Sequence, residues 1–338
     1  MPRLVLLVSL LVLVANPTSA RDLQIYFIDV EGGQATLIVT PAGESLLIDA
    51  GYGGNRGSRD PDRILAAIAD AGIDRIDYLV ITHFHNDHVG GVPELAARIP
   101  IGTFIDYGEP LGTDRMAVNG FRAYEPVRAD RKHLVPRPGD RLALAGLDVE
   151  VVSVSGELVS QPLAGGGQSN AGCATLENHV EDGTENVRSI GLRLQMGAFR
   201  FVALGDLSGN TLGKLVCPTN LLGRVSAYLV AHHGNYDSNV PAMLTALQPQ
   251  VAILNNSAVK GGAPDSLRTL GSRPDMDLWQ LHASHHPDAK NAADDFIANV
   301  DEGETAYWIK LTAEADGRFE LMNRRTGFRK NYHTIYSH

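Results

Sequence analysis

Apolar positions along the chain fall into two rhythms. Short runs rich in β-branched and aromatic residues occur at Leu23–Ile28, Ala35–Thr40, Ser45–Asp49 and Ile76–Ile81. Glycine, proline and aspartate turns bound these runs, a pattern that predicts strands. Between the third and fourth runs, Asp60-Pro61 precedes Ile64, Ala67, Ile68 and Ala71, and Gly72 follows. The three- and four-residue spacing with a glycine stop predicts a helix there. A second helix is expected over Val92–Arg98. Gly102 to Pro138 has no clear period and reads as an irregular segment long enough to form a lid. Hairpins are predicted at Arg141–Leu144 with Leu147–Val154, and at Ser189–Leu194 with Phe199–Leu204. Gly156 to Gly183, rich in glycine, serine and asparagine, reads as a long loop. Strands at Val225–Ala231 and Val251–Leu254 flank a helix at Val240–Leu247. The tail is expected to hold a helix at Ala292–Val300 and a hairpin, Ala306–Thr312 with Phe319–Asn323.

The first twenty residues form a separate unit. Arg3, an apolar run from Leu4 to Ala15 and the small residues Pro17-Thr18-Ser19-Ala20 form a secretory signal pattern, with cleavage expected after Ala20. The run is too short to span a bilayer comfortably. This predicts an exported protein, periplasmic or extracellular, with no stable membrane anchor after cleavage. Residues 21–338 are then the functional domain, ending in the C-terminal helix and hairpin.

Composition is ordinary for a globular chain of 338 residues, with 44% hydrophobic and 20% charged. Cleavage removes one positive charge and no acid, so the net charge moves from −10 to −11. An acidic surface disfavours long nucleic acid as a partner and leaves a small-molecule or ester substrate. In an oxidising compartment the two cysteines, Cys173 and Cys217, are free to pair, and whether they do stays open.

The candidate chemistry is concentrated at strand ends. The run Ile76–Ile81 leads into Thr82-His83-Phe84-His85-Asn86-Asp87-His88-Val89-Gly90-Gly91, an H-x-H-x-D-H pattern. Imidazole and carboxylate are the ligands that divalent zinc, and also manganese or iron, favour. Two further strand ends carry such groups: Gly205-Asp206 and Ala231-His232-His233-Gly234. A carboxylate at 206 is suited to bridge two ions. No G-x-S-x-G elbow and no G-x-x-x-x-G-K-[ST] loop occurs, which removes the main support for a serine hydrolase or a nucleotide hydrolase.

With Asp29–Ala35 and Leu47–Gly51 added, these segments resemble the metallo-β-lactamase superfamily. The pattern is most similar to the hydrolase domain of DNA-uptake competence proteins and to secreted phosphorylcholine esterases. The resemblance implies an α+β fold, a four-layered αββα sandwich with its site along one edge. It implies a binuclear site for two divalent ions, zinc first and manganese or iron as alternatives. His83 and His85 would hold one ion, Asp87 and His88 the other, with Asp206 bridging and His232 as the last ligand. Asp87 would also orient the nucleophile, and His233 would orient a ligand or contact substrate. Many members place one more histidine before the Asp206 position. Here His133, His179 or neither could serve, or the region near Ser155 or the Glu185–Ser189 stretch could occupy that place. Lys260 could bind an anionic group, but a solvated loop lysine is the better reading.

The function expected is that of a secreted hydrolase in which metal-bound hydroxide attacks a phosphodiester or related ester. Two alternatives stand beside it: a lactamase or lactonase acting on a cyclic amide or ester, and a non-catalytic binding module that keeps its metal for structure.

Overall fold

A computed structural model describes residues 22–176, 182–238, 240–301 and 306–334. The expected signal segment and His179 lie outside the described residues. The chain first lays down β1 (Leu23–Phe27), β2 (Thr36–Val39), β3 (Ser45–Ile48), β4 (Ile76–Val80), β5 (Ile101–Ile105) and β6 (Lys132–Leu134). It then builds a second sheet from β7 (Arg141–Leu144), β8 (Leu147–Val154), β9 (Glu157–Leu158), β10 (Gly191–Met196), β11 (Phe199–Ala203), β12 (Ala227–Leu229), β13 (Val251–Leu254), β14 (Asp277–His282) and β15 (Ile297–Asn299). Finally β16 (Ile309–Ala313), β17 (Arg318–Asn323) and β18 (Arg329–His333) return to the first sheet beside β1. The helices are α1 (Arg59–Ala71), α2 (Asn86–Val89), α3 (Val92–Ala96), α4 (Arg115–Arg128), α5 (Gly209–Lys214), α6 (Val240–Leu247) and α7 (Pro264–Gly271).

Strand periodicity explains the layering. In β11 to β13, Phe201, Ala227, Leu229, Val251 and Ile253 point into a core shared with the first sheet. The intervening Val202, Tyr228, Ala252 and Leu254 point the other way, into a core with Leu212, Met243, Leu247 and Leu267 from α5 to α7. Alternation with period two therefore lets one strand serve two cores. Phe27 meets Phe201 with ring centroids 5.7 Å apart, and Phe199 meets Phe319 at 5.4 Å, so the sheets face each other. On the opposite face of the first sheet, Tyr26 Oη donates to Asp70 of α1 at 2.9 Å. This is the expected helix–sheet–sheet–helix sandwich.

Two expectations are corrected. The segment from Gly102 to Pro138 is ordered into β5, α4 and β6. Asp114 caps α4 by accepting from the Met116 and Ala117 N–H groups, and Ala117, Phe121 and Tyr124 bury its inner face. Gly120 and Pro126 within that helix obscure its period. Gly120 is required by a close approach: a Cβ there would lie 2.1 Å from the Phe84 carbonyl oxygen. The expected helix at Ala292–Val300 is instead a short 3₁₀ turn followed by β15, which pairs in parallel with β14. Pairing with a neighbouring strand outweighs local helix preference. The terminal hairpin is a three-stranded meander, β16 to β18. Cys173 and Cys217 form a disulfide between residues 44 apart, tying the glycine-rich segment to the turn after α5.

Candidate metal centre

Strands β3 to β6 run parallel, as do β11 to β15, so both sheets deliver their carboxyl ends to one edge. Ligand-bearing loops of α/β sheets leave from that end. The Ile190 N–H donates to the Thr82 carbonyl at 2.9 Å, stitching the two sheets together beside the site. Three non-glycine residues here have left-handed backbones: Asp49 at φ 60°, His232 at 48° and His233 at 53°. Such conformations cost of order 1–3 kcal/mol each and cluster at functional sites.

Four groups converge. Ligand atoms of Asp87, His88, Asp206 and His233 all lie within 4.8 Å of one another, and all four residues are buried. His88 Nε2 is 3.2 Å from Asp87 Oδ2 and 3.2 Å from Asp206 Oδ2, and His233 Nε2 is 3.2 Å from Asp206 Oδ1. Yet His88 Nε2, His233 Nε2 and Asp206 Oδ1 make no hydrogen bond. Buried polar atoms are rarely left in that state without a reason. Two imidazole nitrogens and two carboxylates in this arrangement fit a divalent cation.

Outer partners aim the ligands. Asp49 Oδ2 sits 2.7 Å from His88 Nδ1 and 2.7 Å from Thr82 Oγ1, while Asp49 Oδ1 accepts the Thr82 N–H at 2.7 Å. His233 Nδ1 lies 3.1 Å from the Asn255 carbonyl. Both histidines therefore donate through Nδ1 and leave Nε2 for the centre. Burial pushes His88 down, but Asp206, Asp87 and Asp49 outweigh it and hold the imidazole well above its usual range. Burial pushes Asp206 up, and the histidines around it, His233 foremost, bring it well below. Asp87 is likewise held low against burial by His88 and Lys260. Asp49 is raised by burial, only partly offset by His88.

The other candidates take different places. His83 Nε2 lies 3.0 Å from His85 Nδ1, and His85 Nε2 lies 2.8 Å from Asp114 Oδ2. With the His85 Nε2–H given to Asp114, its Nδ1 lone pair faces His83. Burial, with His88 next, lowers the His83 pKa well below its usual value, which keeps that imidazole neutral. The two histidines form a second pair of nitrogen donors next to the four-group cluster. His232 stands at the rim. Its Nδ1 is 2.7 Å from Asp237 Oδ1, and its Nε2 is 3.9 Å from Asp206 Oδ2. The structure thus brings His233, rather than His232, among the four converging groups. His133 lies on β6, bonded to Asp106 at 2.9 Å. Asn186 reaches the rim instead, 3.4 Å from His232 Nε2, with its Oδ1 buried and unpartnered. Glu185 is committed to Tyr107 Oη and the Leu111 N–H.

Two contributors were not assigned from the sequence, and a third, Lys260, departs from the preferred reading. Asp49 and Asp114 hold candidate ligands from outside. Lys260 is not a solvated loop residue: its ammonium pairs with Asp87 Oδ2, and its side chain is 35% exposed. The cluster opens into a cavity of about 1000 Å³, walled by Tyr52, Met116, Asn186, His232 and Lys260 among others. That volume is at the upper end of ordinary small-molecule sites.

The sequence model of the metallo-β-lactamase superfamily matches residues 28–173, the stretch that carries β2 to β9 and the H-x-H-x-D-H segment. The match covers less than half of the chain, and with the two-sheet architecture it marks a metallo-β-lactamase fold. Curated relatives match over short stretches. A hydroxyacylglutathione hydrolase of Stenotrophomonas maltophilia is 38% identical over 64 residues, covering 19% of this chain and 21% of its own length. A coenzyme F420H(2) oxidase of Methanothermobacter marburgensis is 30% identical over 104 residues, 30% of this chain and 23% of its own. The chain therefore spans about a fifth to a quarter of the curated relatives it matches. Among solved structures, a metallo-β-lactamase of Cronobacter sakazakii is similar at 14% identity, covering 62% of this chain and 77% of that one, with a TM-score of 0.40. CmlA, a diiron β-hydroxylase from Streptomyces venezuelae, is similar at 15% identity over 71% of this chain and 46% of its own, also with a TM-score of 0.40.

Proposed function

We propose that this protein is a metal-dependent hydrolase of small esters, with a phosphodiester or related ester as substrate. The observation that carries the reading is the convergence of Asp87, His88, Asp206 and His233 beneath an open cavity, with three of their ligand atoms buried and unbonded. These four residues would hold a divalent cation, zinc first, and His83 with His85 would supply nitrogen donors for a second. A cation held there contributes Lewis acidity and makes water acidic enough to act as a nucleophile at neutral pH.

The chain's own residues do the rest. Asp49 and the Asn255 carbonyl fix which nitrogen His88 and His233 present. Asp114 does the same for His85 and also accepts the Glu185 N–H at 3.1 Å, joining α4 to the segment that carries Asn186. His232, oriented by Asp237, offers Nε2 to a substrate at the rim. Resemblance to competence-protein hydrolase domains and phosphorylcholine esterases supports the phosphodiester choice. The leader-like first twenty residues and the disulfide support export to an oxidising compartment.

The test is a turnover screen of the zinc- or manganese-loaded protein on bis-p-nitrophenyl phosphate, p-nitrophenyl phosphorylcholine and nitrocefin. Phosphodiester turnover that a chelator abolishes and metal restores is the expected result. Nitrocefin turnover alone would move the reading to a lactamase. No turnover with metal fully bound would favour a binding module.

A further inference from the structure

Lys260 is the only lysine or arginine among the described residues that wall the cavity. Its ammonium pairs with Asp87 Oδ2 and lies 5.7 Å from the Tyr52 ring centroid. The turn that carries it is pinned. Ser257 Oγ accepts the N–H groups of Val259 at 3.2 Å and Lys260 at 2.8 Å. The Ser257 N–H donates to the Lys260 carbonyl at 2.8 Å, and the Gly262 N–H to the His233 carbonyl at 2.8 Å. Asn256 Nδ2 holds the turn to the His282 carbonyl at 2.8 Å. Gly32 packs under the lysine stem, where a Cβ would fall 2.9 Å from Lys260 Cβ. These contacts fix the backbone that carries Lys260, and the pair with Asp87 places its ammonium.

We infer that Lys260 is a specificity-determining residue that binds an anionic oxygen of the substrate beside the scissile bond. The inference rests on the hydrolase reading and narrows it to esters with negative charge at the reacting end and an uncharged body along α4. The charge balance supports this. One divalent cation held by Asp87 and Asp206 would neutralise both carboxylates and would leave the Lys260 charge free for a substrate anion. Glu94, the other acid on the cavity wall, lies within 3.6 Å of Arg98. The wall along α4, with Met116, Gly120 and Ala123, carries no charge and suits an uncharged group. A polynucleotide needs several cations along its backbone, and this cavity offers one.

The experiment compares the wild type, Lys260→Met and Lys260→Arg on two substrates with the same leaving group. Bis-p-nitrophenyl phosphate carries one negative charge, and p-nitrophenyl acetate carries none. Each protein's metal content is measured by elemental analysis, and inorganic phosphate binding by calorimetry. In Lys260→Met the ratio of kcat/KM for the phosphodiester to that for the acetate should fall about 10- to 100-fold, the range of a charge-assisted hydrogen bond. Phosphate affinity should fall by about tenfold or more, and Lys260→Arg should recover most of both. An unchanged ratio with unchanged phosphate affinity overturns the inference. So does a loss of bound metal with equal loss on both substrates, since Lys260 would then merely hold Asp87. If wild type turns over neither substrate but phosphate binding still depends on Lys260, the hydrolase reading fails and the anion site stands.

Discussion

Asp49 offers a sharp test of how the centre is held together. It is fully buried, and its two carboxylate oxygens accept from the Thr82 N–H, the Thr82 hydroxyl and His88 Nδ1, each at 2.7 Å. Asp49→Asn keeps the shape but has one carbonyl oxygen for these donors. If that oxygen serves His88 and the hydroxyl, the amide nitrogen must face the Thr82 N–H. If it serves the N–H, His88 loses its acceptor and the tautomer that presents Nε2. One buried hydrogen bond is lost either way, about 1–3 kcal/mol. Burial raises the Asp49 pKa, so the neutral amide recovers part of that loss. Loss of a ligand's outer partner typically lowers metal affinity about 10- to 100-fold, and that is the expected effect. Chelator competition with a fluorescent indicator would measure it, with urea unfolding of the metal-free protein as a stability control. A folded Asp49→Asn protein that binds zinc within about twofold of wild type would refute the reasoning.

Other outcomes follow from the same geometry. His233→Ala should reduce metal affinity more than 100-fold, of order 3 kcal/mol, whereas His232→Ala should cost less than about tenfold, as read by the same competition assay. Because Asp206, Asp87 and Asp49 favour protonated His88 in the metal-free protein, binding must displace a proton from it. Zinc affinity should therefore weaken as pH falls through neutrality, and calorimetry in buffers of different ionisation enthalpy should show proton release. Gly120→Val should destabilise the protein by at least about 1–3 kcal/mol, because α4 must withdraw from the Phe84 carbonyl. The change is read as a lowered urea midpoint. Cys173→Ser should cost up to about 4 kcal/mol of stability, the loop-entropy value for a separation of 44 residues.

The strand pattern revealed the two-sheet plan because alternation in β11 to β13 is regular and the turns between strands are rich in glycine. It hid α4, whose Gly120 and Pro126 answer to packing against Phe84 and to the helix end rather than to helix propensity. It also hid β15, which exists through pairing with β14. At the site, the ligand-type residues were legible because their side-chain chemistry is rare in that spacing. Their division of labour was not. Which member of His232-His233 turns inward depends on two left-handed backbone residues, and no spacing rule encodes those. Asp49 and Asp114 follow β3 and β5 and meet the histidine loop after β4 through pairing within the first sheet, whereas Lys260, after β13, meets Asp87 only when the two sheets face each other.

The central claim is that Asp87, His88, Asp206 and His233 hold a divalent cation. Elemental analysis of the purified protein after exhaustive dialysis, beside an Asp206→Ala, His233→Ala double variant, tests it most directly. At least one zinc, manganese or iron per wild-type chain is expected, and less than a tenth of that in a variant that remains folded by circular dichroism. A wild-type chain that retains no metal and takes up none on reloading would contradict it, as would a folded double variant that retains the full complement.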